Sequence, residues 1–583
     1  MKQLLVYMKG YAKESVLGPL FKLLEASFEL LVPLVMAAII DTGVAGADCG
    51  YILRMGGVLL LLGLVGLAAA ITAQYFSAKA AVGFAGRLRH ALFEKIESLS
   101  YTQLDTLGTS TMMTRMTSDI NQVQTGVNLT LRLLLRSPFI VFGAMIMAFT
   151  IDAKSALLFV AVIPLLALVV FGTMLYTIPQ YRRVQAELDS VLGKTRETLT
   201  GARVLRAFAR EDSEISAFQE KNAALARMQR FVGRISALMN PLTYAIINLA
   251  VLALLRTGAV QVDAGRITQG ELVALVNYMS QILVELVKLA NLIITLTRAL
   301  ASANRVSAVL ALPAGNAAMG NTQGALPTVP AGAPAVEFCG VSLSYENAGA
   351  ESLSDVSFRA EPGETIGVIG GTGSGKSSLV NLIPGFYPAT RGQVRVFGRD
   401  VKDWPAAALR AKVGIVPQKA VLFRGTIREN LLWGRSDAED AALWNALERA
   451  QAKDFVQQKE GALSAPVEQG GKNLSGGQKQ RLTIARALVR KPDILILDDS
   501  ASALDYATDA KLRRAIREME GGPTVFLVSQ RAASIRHADK IIVLDDGRVA
   551  GIGTHEALLQ SCPVYQEIYH SQFPKEAACT KEG

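Results

Sequence analysis

Six runs of about 20 mainly apolar residues crowd the first 312 positions: Val16 to Ile40, Tyr51 to Ala73, Leu131 to Thr150, Ser155 to Ile178, Ala237 to Leu255 and Leu272 to Leu296. A helix needs about 20 such residues to cross a bilayer. The chain is half apolar and only 19% charged, which excludes a disordered chain, a collagen and a disulfide-stapled domain. Residues 1–312 are therefore expected to form an α-helical membrane domain with six transmembrane helices. The opening MKQLLVYMKGYAKES lacks a closing A-x-A-like site, so it is expected to be an amphipathic elbow on the membrane surface rather than a cleaved leader.

Connections alternate between short, near Ala47, Asp152 and Asp263, and long, from Lys79 to Asn128 and from Gln180 to Gly233. The long stretches carry Arg87, Arg89, Lys95, Arg115, Arg182, Arg183, Lys194, Arg196, Arg203, Arg206 and Arg210. Positive charge marks the cytoplasmic side. Both termini are expected there, in a multi-pass protein of the bacterial plasma (inner) membrane. The net charge of +10 is then largely topological. No aromatic–basic platform accompanies it, so no nucleic-acid partner is expected. The long stretches have helical character, so the spans should project well beyond the lipid. Cys49, Cys339, Cys562 and Cys579 form no CxxC pair, which gives no metal site and a reducing or cysteine-indifferent setting.

Residues 313–334, with Pro313, Pro327 and Pro330, lack periodicity and are expected to be a linker. Beyond it, β-branched runs alternate with helices: VEFCGVSLSY, TIGVIG, VGIVPQ, DILILDD, TVFLVSQ and KIIVLDDG. That alternation predicts a mostly parallel α/β domain over 335–575, followed by a tail, 576–583.

Gly370, Gly371, Thr372, Gly373, Ser374, Gly375, Lys376 and Ser377, followed by Ser378, match G-x-x-x-x-G-K-[ST] between a strand and a helix. Glycines let backbone N–H groups curl round phosphates, and the helix start adds its dipole. Lys376 would meet the β- and γ-phosphates and Ser377 would ligate Mg²⁺. The apolar strand Ile494–Leu497 ends in Asp498, a second Mg²⁺ candidate at a sheet's carboxyl edge. Leu474, Ser475, Gly476, Gly477 and Gln478 open a further helix. By chemistry alone, an anion-receptive cap and an ordinary serine N-cap are equally good readings of it.

LSGGQ about 100 residues after the phosphate loop, with an Asp strand beyond it, resembles the signature of ATP-binding cassette transporters. On that resemblance Tyr345 is the adenine-stacking aromatic, Gln418 the glutamine that also reaches Mg²⁺, and Ser502, Ala503, Leu504 and Asp505 the D-loop. Glu468 takes the place of an exporter transmission acid. LDTLGTSTMMTRMTSDINQVQ and GARVLRAFAREDSE resemble the two intracellular loops of type I exporters (type IV fold), and ITQGELVALVNY the entry to their last span. Contact with the cassettes is then expected near Thr102 to Thr109 and Glu211 to Glu214. The resemblance implies a fold with a C-terminal α/β P-loop nucleotide-binding domain, ATP and Mg²⁺ as cofactors, and a dimer. Each ATP would lie between one chain's phosphate loop and the other's LSGGQ.

Two positions depart from the pattern. The family glutamate after the Mg²⁺ aspartate is Asp499, and the switch histidine before Arg531 is Gln530. The shorter carboxylate is withdrawn by about one C–C bond, and a shift near 1 Å can cost ~10²-fold in rate. Glutamine can donate to a γ-phosphate but cannot carry or shuttle a proton. The chain is thus expected to supply the degenerate site of a heterodimeric multidrug-type exporter, beside a second half-transporter that keeps the glutamate and the histidine. Alternatives are a slow homodimer, a lipid or peptide exporter half, and an ATP-binding regulatory subunit.

Glu25, Glu29 and Glu285 lie within predicted spans. Buried acids suggest a substrate pathway, and a cationic amphiphile would suit them. Pairing with Lys22 and Lys288 at helical spacing is the competing reading. His537 and His555 are expected at the surface, and Met112 and Met113 in packing.

Overall fold

A computed structural model describes residues 2–313, 332–346, 348–500, 504–519 and 521–573. Most of the expected linker, the tail 576–583, and Ser502 and Ala503 of the D-loop lie outside the described residues.

After a 3₁₀ segment, Lys2–Tyr11, the helices run α1 (Ala12–Ala38), α2 (Cys49–Glu97), α3 (Tyr101–Leu107), α4 (Thr109–Thr114), α5 (Ile120–Leu133), α6 (Arg136–Ile151), α7 (Ala153–Thr200), α8 (Ala202–Ala207), α9 (Glu211–Asp263) and α10 (Gln269–Leu310). Every predicted span falls in a helical stretch long and apolar enough to cross a membrane, six in all among the described residues. At 1.5 Å per residue the 49 residues of α2 reach about 73 Å, more than twice the hydrocarbon thickness. The expected projection of the spans is therefore present. Leu53, Leu60, Leu61, Leu64, Leu67 and Ile71 on α2 are exposed, an apolar stripe suited to a lipid surround. The third predicted span straddles a break, because α5 ends at Leu133 and α6 starts at Arg136.

The short turns are fixed by capping. Asp152 accepts from the Ser155 backbone at 2.8 Å to start α7, and Thr268 with Glu271 forms a capping box on α10. Asp41, beyond the end of α1, accepts from the Gly270 N–H at 2.8 Å. A Cβ at Gly270 would stand 2.3 Å from the Ala37 carbonyl oxygen, so glycine is what lets α10 close on α1. Deeper in, the buried Tyr278 hydroxyl donates to the Leu30 carbonyl, tying the same helices together.

The chain divides into two units, Met1–Glu94 with Ser110–Ala311, and Lys95–Thr109 with Leu312–Gly583. Helix α3, predicted within the first domain, thus belongs to the second unit. Tyr101 stacks on Phe386 at 4.3 Å, Asp105 accepts from the Tyr387 hydroxyl, and Thr106 donates to Glu346 at 3.3 Å. Thr102 to Thr109 therefore packs on the α/β unit as the resemblance implied. Glu214 stays in the helical unit, 2.8 Å from Lys194.

The α/β unit holds a six-stranded sheet in the order Arg548–Gly553, Lys540–Asp545, Thr365–Gly370, Thr524–Val528, Ile494–Asp498 and Val413–Val416. Only the first pair is antiparallel. A four-stranded antiparallel sheet stands beside it, which makes the domain mixed. Ile366, Val368, Ile496, Phe526 and Ile542 build one buried face of the six-stranded sheet. Its parallel strands end together near Gly370, Val416, Asp498 and Val528, and ligands bind at such a carboxyl edge.

Candidate functional site

The phosphate loop joins the strand Thr365–Gly370 to a helix, α11 (Lys376–Leu382). Gly375, its N-cap, has φ +92°, and a Cβ there would lie 2.5 Å from the Ser352 carbonyl oxygen. Only glycine fits that left-handed turn so close to other backbone. Lys376 donates to the Gly370 carbonyl at 3.0 Å and the Gly371 carbonyl at 2.6 Å. Burial holds its ammonium below the ordinary lysine range, against the pull of Asp499 and Asp498.

The Ser377 hydroxyl donates to Asp498 Oδ1 at 3.0 Å, so the sequence-predicted Mg²⁺ residues meet across the strand end. Hydroxyl and carboxylate oxygens side by side suit a hard divalent cation. Burial pushes the carboxyls of both Asp498 and Asp499 above the ordinary aspartate range. At Asp498 the Ser377 hydrogen bond works against burial, and the neighbouring Asp499 charge adds to it. An added divalent cation would favour the charged forms. Gln418 donates to Asp499 Oδ2 at 3.4 Å. Asp499 has φ +44°, a left-handed conformation that aspartate adopts more readily than most residues.

Thr372, Gly373, Gly375, Lys376, Ser377, Ser378, Gln418, Asp498, Asp499 and Gln530 all line one pocket of about 240 Å³. The structure thus brings together the metal and hydrolysis candidates and most of the phosphate loop, while Gly370, Gly371 and Ser374 do not line the pocket. Tyr345 sits at its margin, where its hydroxyl donates to Ser378 Oγ at 3.0 Å and its ring meets Tyr387 edge-on at 5.0 Å. Ser352 also lines the pocket. Neither Ser352 nor Tyr387 belongs to a motif, and no sequence signal singled them out.

None of Leu474 to Gln478 lines this pocket. Ser475 caps the helix Gly476–Val489, accepting from Gln478 N at 3.3 Å while Gln478 Oε1 accepts from Ser475 N at 3.0 Å. The ordinary-cap reading therefore holds locally. Ser475 and Gly476 remain exposed, free to present that helix start to another molecule. Leu504 is buried, and Asp505 caps the next helix by accepting from Thr508. Glu468 is exposed.

The three membrane acids separate. Glu25 pairs with Lys22 on its own helix. Glu29 and Glu285 both bind Arg136, at 2.6 and 2.7 Å, while Glu285 also accepts from Ser137 and Lys288, each at 2.8 Å. Local pairing thus accounts for Glu25 and part of Glu285. The sequence reading missed Arg136, although an arginine inside an apolar run was itself a signal.

Family models agree with this architecture: residues 15–286 match the ABC transporter transmembrane region and residues 353–502 the ABC transporter domain. An uncharacterized ABC transporter ATP-binding protein of Mycobacterium bovis is 37% identical over 571 residues, 97% of each chain. One from Bacillus subtilis is 34% identical, covering 99% of this chain and all of its own. Another Bacillus subtilis protein, provisionally named a multidrug export ATP-binding/permease protein, is 31% identical over 98% of this chain and 99% of its own. A solved bacterial Atm1-family ABC exporter with ATP bound shares the fold, with TM-score 0.78 and 22% identity, covering 96% of this chain and 98% of that one.

Proposed function

This chain belongs to the ATP-binding cassette (ABC) transporter family, and we propose that it serves as one half of a heterodimeric exporter of hydrophobic or amphipathic compounds, multidrug type. ATP hydrolysis coupled to transport is the work of that family. The proposal adds which step this chain performs poorly.

One observation carries it. The pocket gathers Lys376, Ser377, Gln418 and Asp498, groups suited to gripping a nucleotide, yet the two positions that would serve hydrolysis are Asp499 and Gln530. Ser377 and Asp498 would hold Mg²⁺, which would offset phosphate charge. Asp499 would poise water from too far back, and Gln530 would hold the γ-phosphate without moving a proton. The intact LSGGQ, outside this pocket, would complete the partner's site. A mate that keeps the glutamate and the histidine follows from that division. The multidrug name of one relative supports the cargo class. The basic long stretches support a plasma-membrane protein whose termini and nucleotide-binding domain are cytoplasmic.

Each nucleotide would touch both chains only when the cassettes close, so binding favours closure and hydrolysis releases it. The test compares the purified chain alone with the chain co-purified with a partner half. Alone, it should bind ATP but turn it over slowly, and with Gln530 still in place of the histidine and the partner's signature altered, Asp499→Glu should raise the pair's rate only a few-fold. Fast turnover by the chain alone, or a rise near a hundredfold on that substitution, would sink the division of labour.

A further inference from the structure

We propose that Glu29 and Lys288 frame a head-group site for a zwitterionic amphiphile, in a cavity of the helical unit between α1 and α10. The proposal rests on the export reading above and names its substrate class. The cavity has a volume of about 500 Å³ and is lined by Glu29, Val32, Pro33 and Met36 of α1 and, among others, by Gln281, Glu285 and Lys288 of α10.

Its charges are arranged in balance. Arg136 and Glu285 are buried, at 6% and 3% exposure, and bridge outward to the half-exposed Glu29 and Lys288. Two acids and two bases sum to zero, and the two that reach open space are a carboxylate and an ammonium. A ligand bearing one positive and one negative group answers both, whereas a purely cationic one leaves Lys288 facing a like charge. The Gln281 side-chain oxygen is buried and has no hydrogen-bond partner in the structure, an acceptor suited to a ligand hydroxyl or amide N–H.

Depth sets the ligand's orientation. Glu29, Arg136 and Glu285 lie about 18, 16 and 20 residues from the short turns at Ala47, Asp152 and Gly265, or roughly 24–30 Å along their helices. Across a ~30 Å hydrocarbon layer, that places the charges close to the face where the long helical extensions begin. Val32, Pro33 and Met36 continue from Glu29 toward the opposite face, so an apolar tail would lie along them with its head at the boundary.

The test uses the full-length chain in nanodiscs and three dodecyl probes differing only in head group: phosphocholine, trimethylammonium and phosphate. Phosphocholine should bind most tightly. Glu29→Gln should weaken phosphocholine and trimethylammonium about fivefold and spare phosphate, while Lys288→Gln should weaken phosphocholine and phosphate and spare trimethylammonium. Both positions are half-exposed, so both variants should fold, and unchanged ATP binding will verify it. Replacing anionic nanodisc lipid with phosphatidylethanolamine should weaken the soluble probe if bilayer lipid uses the same site, and leave it unchanged if only dissolved amphiphiles do. Equal binding of all three heads, no binding of any, or an unmoved ranking in both variants would overturn the site. The export reading fails separately, if the co-purified pair moves no dye or lipid into vesicles with ATP.

Discussion

The two units handle buried charge in opposite ways. Around the phosphate loop, polar groups converge on a pocket and need something from outside: Asp498 and Asp499 stand together, both driven toward protonation by burial, beside a lysine driven toward neutrality. In the helical unit, Arg136 and Glu285 answer each other, with Glu29 also on Arg136 and with Ser137 and Lys288 also on Glu285. Around the phosphate loop the charges are left electrostatically unfinished, whereas in the helical unit the buried pair is neutralised from within and only its outer members, Glu29 and Lys288, reach open space.

That contrast breaks most easily at its closed end. Glu285→Gln leaves the buried Arg136 guanidinium with the half-exposed Glu29 as its one remaining carboxylate and should cost about 3 kcal/mol of stability, measured by thermal unfolding in detergent, whereas removing both charges with Arg136→Met and Glu285→Leu should recover most of the loss. If the single change is silent, the cluster is not the closed network described. In the open site Lys376→Ala should leave unfolding unmoved while weakening ATP binding by this chain more than tenfold. A coupled fall in stability would mean the lysine is structural after all. Tyr345→Ala should weaken nucleotide binding about tenfold, and Tyr345→Phe should retain it, because a base stacks on the ring and not on the hydroxyl. Smallest is Tyr387→Phe, which loses the hydrogen bond to Asp105 and should lower stability by about 1 kcal/mol, visible as faster proteolysis within 95–109.

The same contrast explains what could be read from the chain. Gly370 to Ser377 is contiguous, so its chemistry is written in order, and Asp498 is recognisable as the end of an apolar run. Gln530, 32 residues beyond Asp498, was placed by family pattern and reaches the pocket because adjacent parallel strands end level. Arg136 and Glu285 are 149 residues apart, and no local pattern joins them. A pairing between helices depends on which faces meet, and that is settled by packing. Spacing did find the pairs Lys22–Glu25 and Lys288–Glu285, because one helical turn is short-range geometry. The break at Leu134–Leu135 was legible but not read: Arg136, Ser137 and Pro138 follow it at once, and proline is favoured in the first turn of a helix.

The residence of 95–109 in the α/β unit has a practical corollary. The polypeptide passes from one unit to the other at three places: after Glu94, after Thr109 and after Ala311. A chimaera made by splicing a foreign cassette in at residue 312 would leave Tyr101 and Asp105 facing surfaces that never evolved to receive them. Any working transplant must carry its own version of that short helix, which makes the inheritable module discontinuous in the gene.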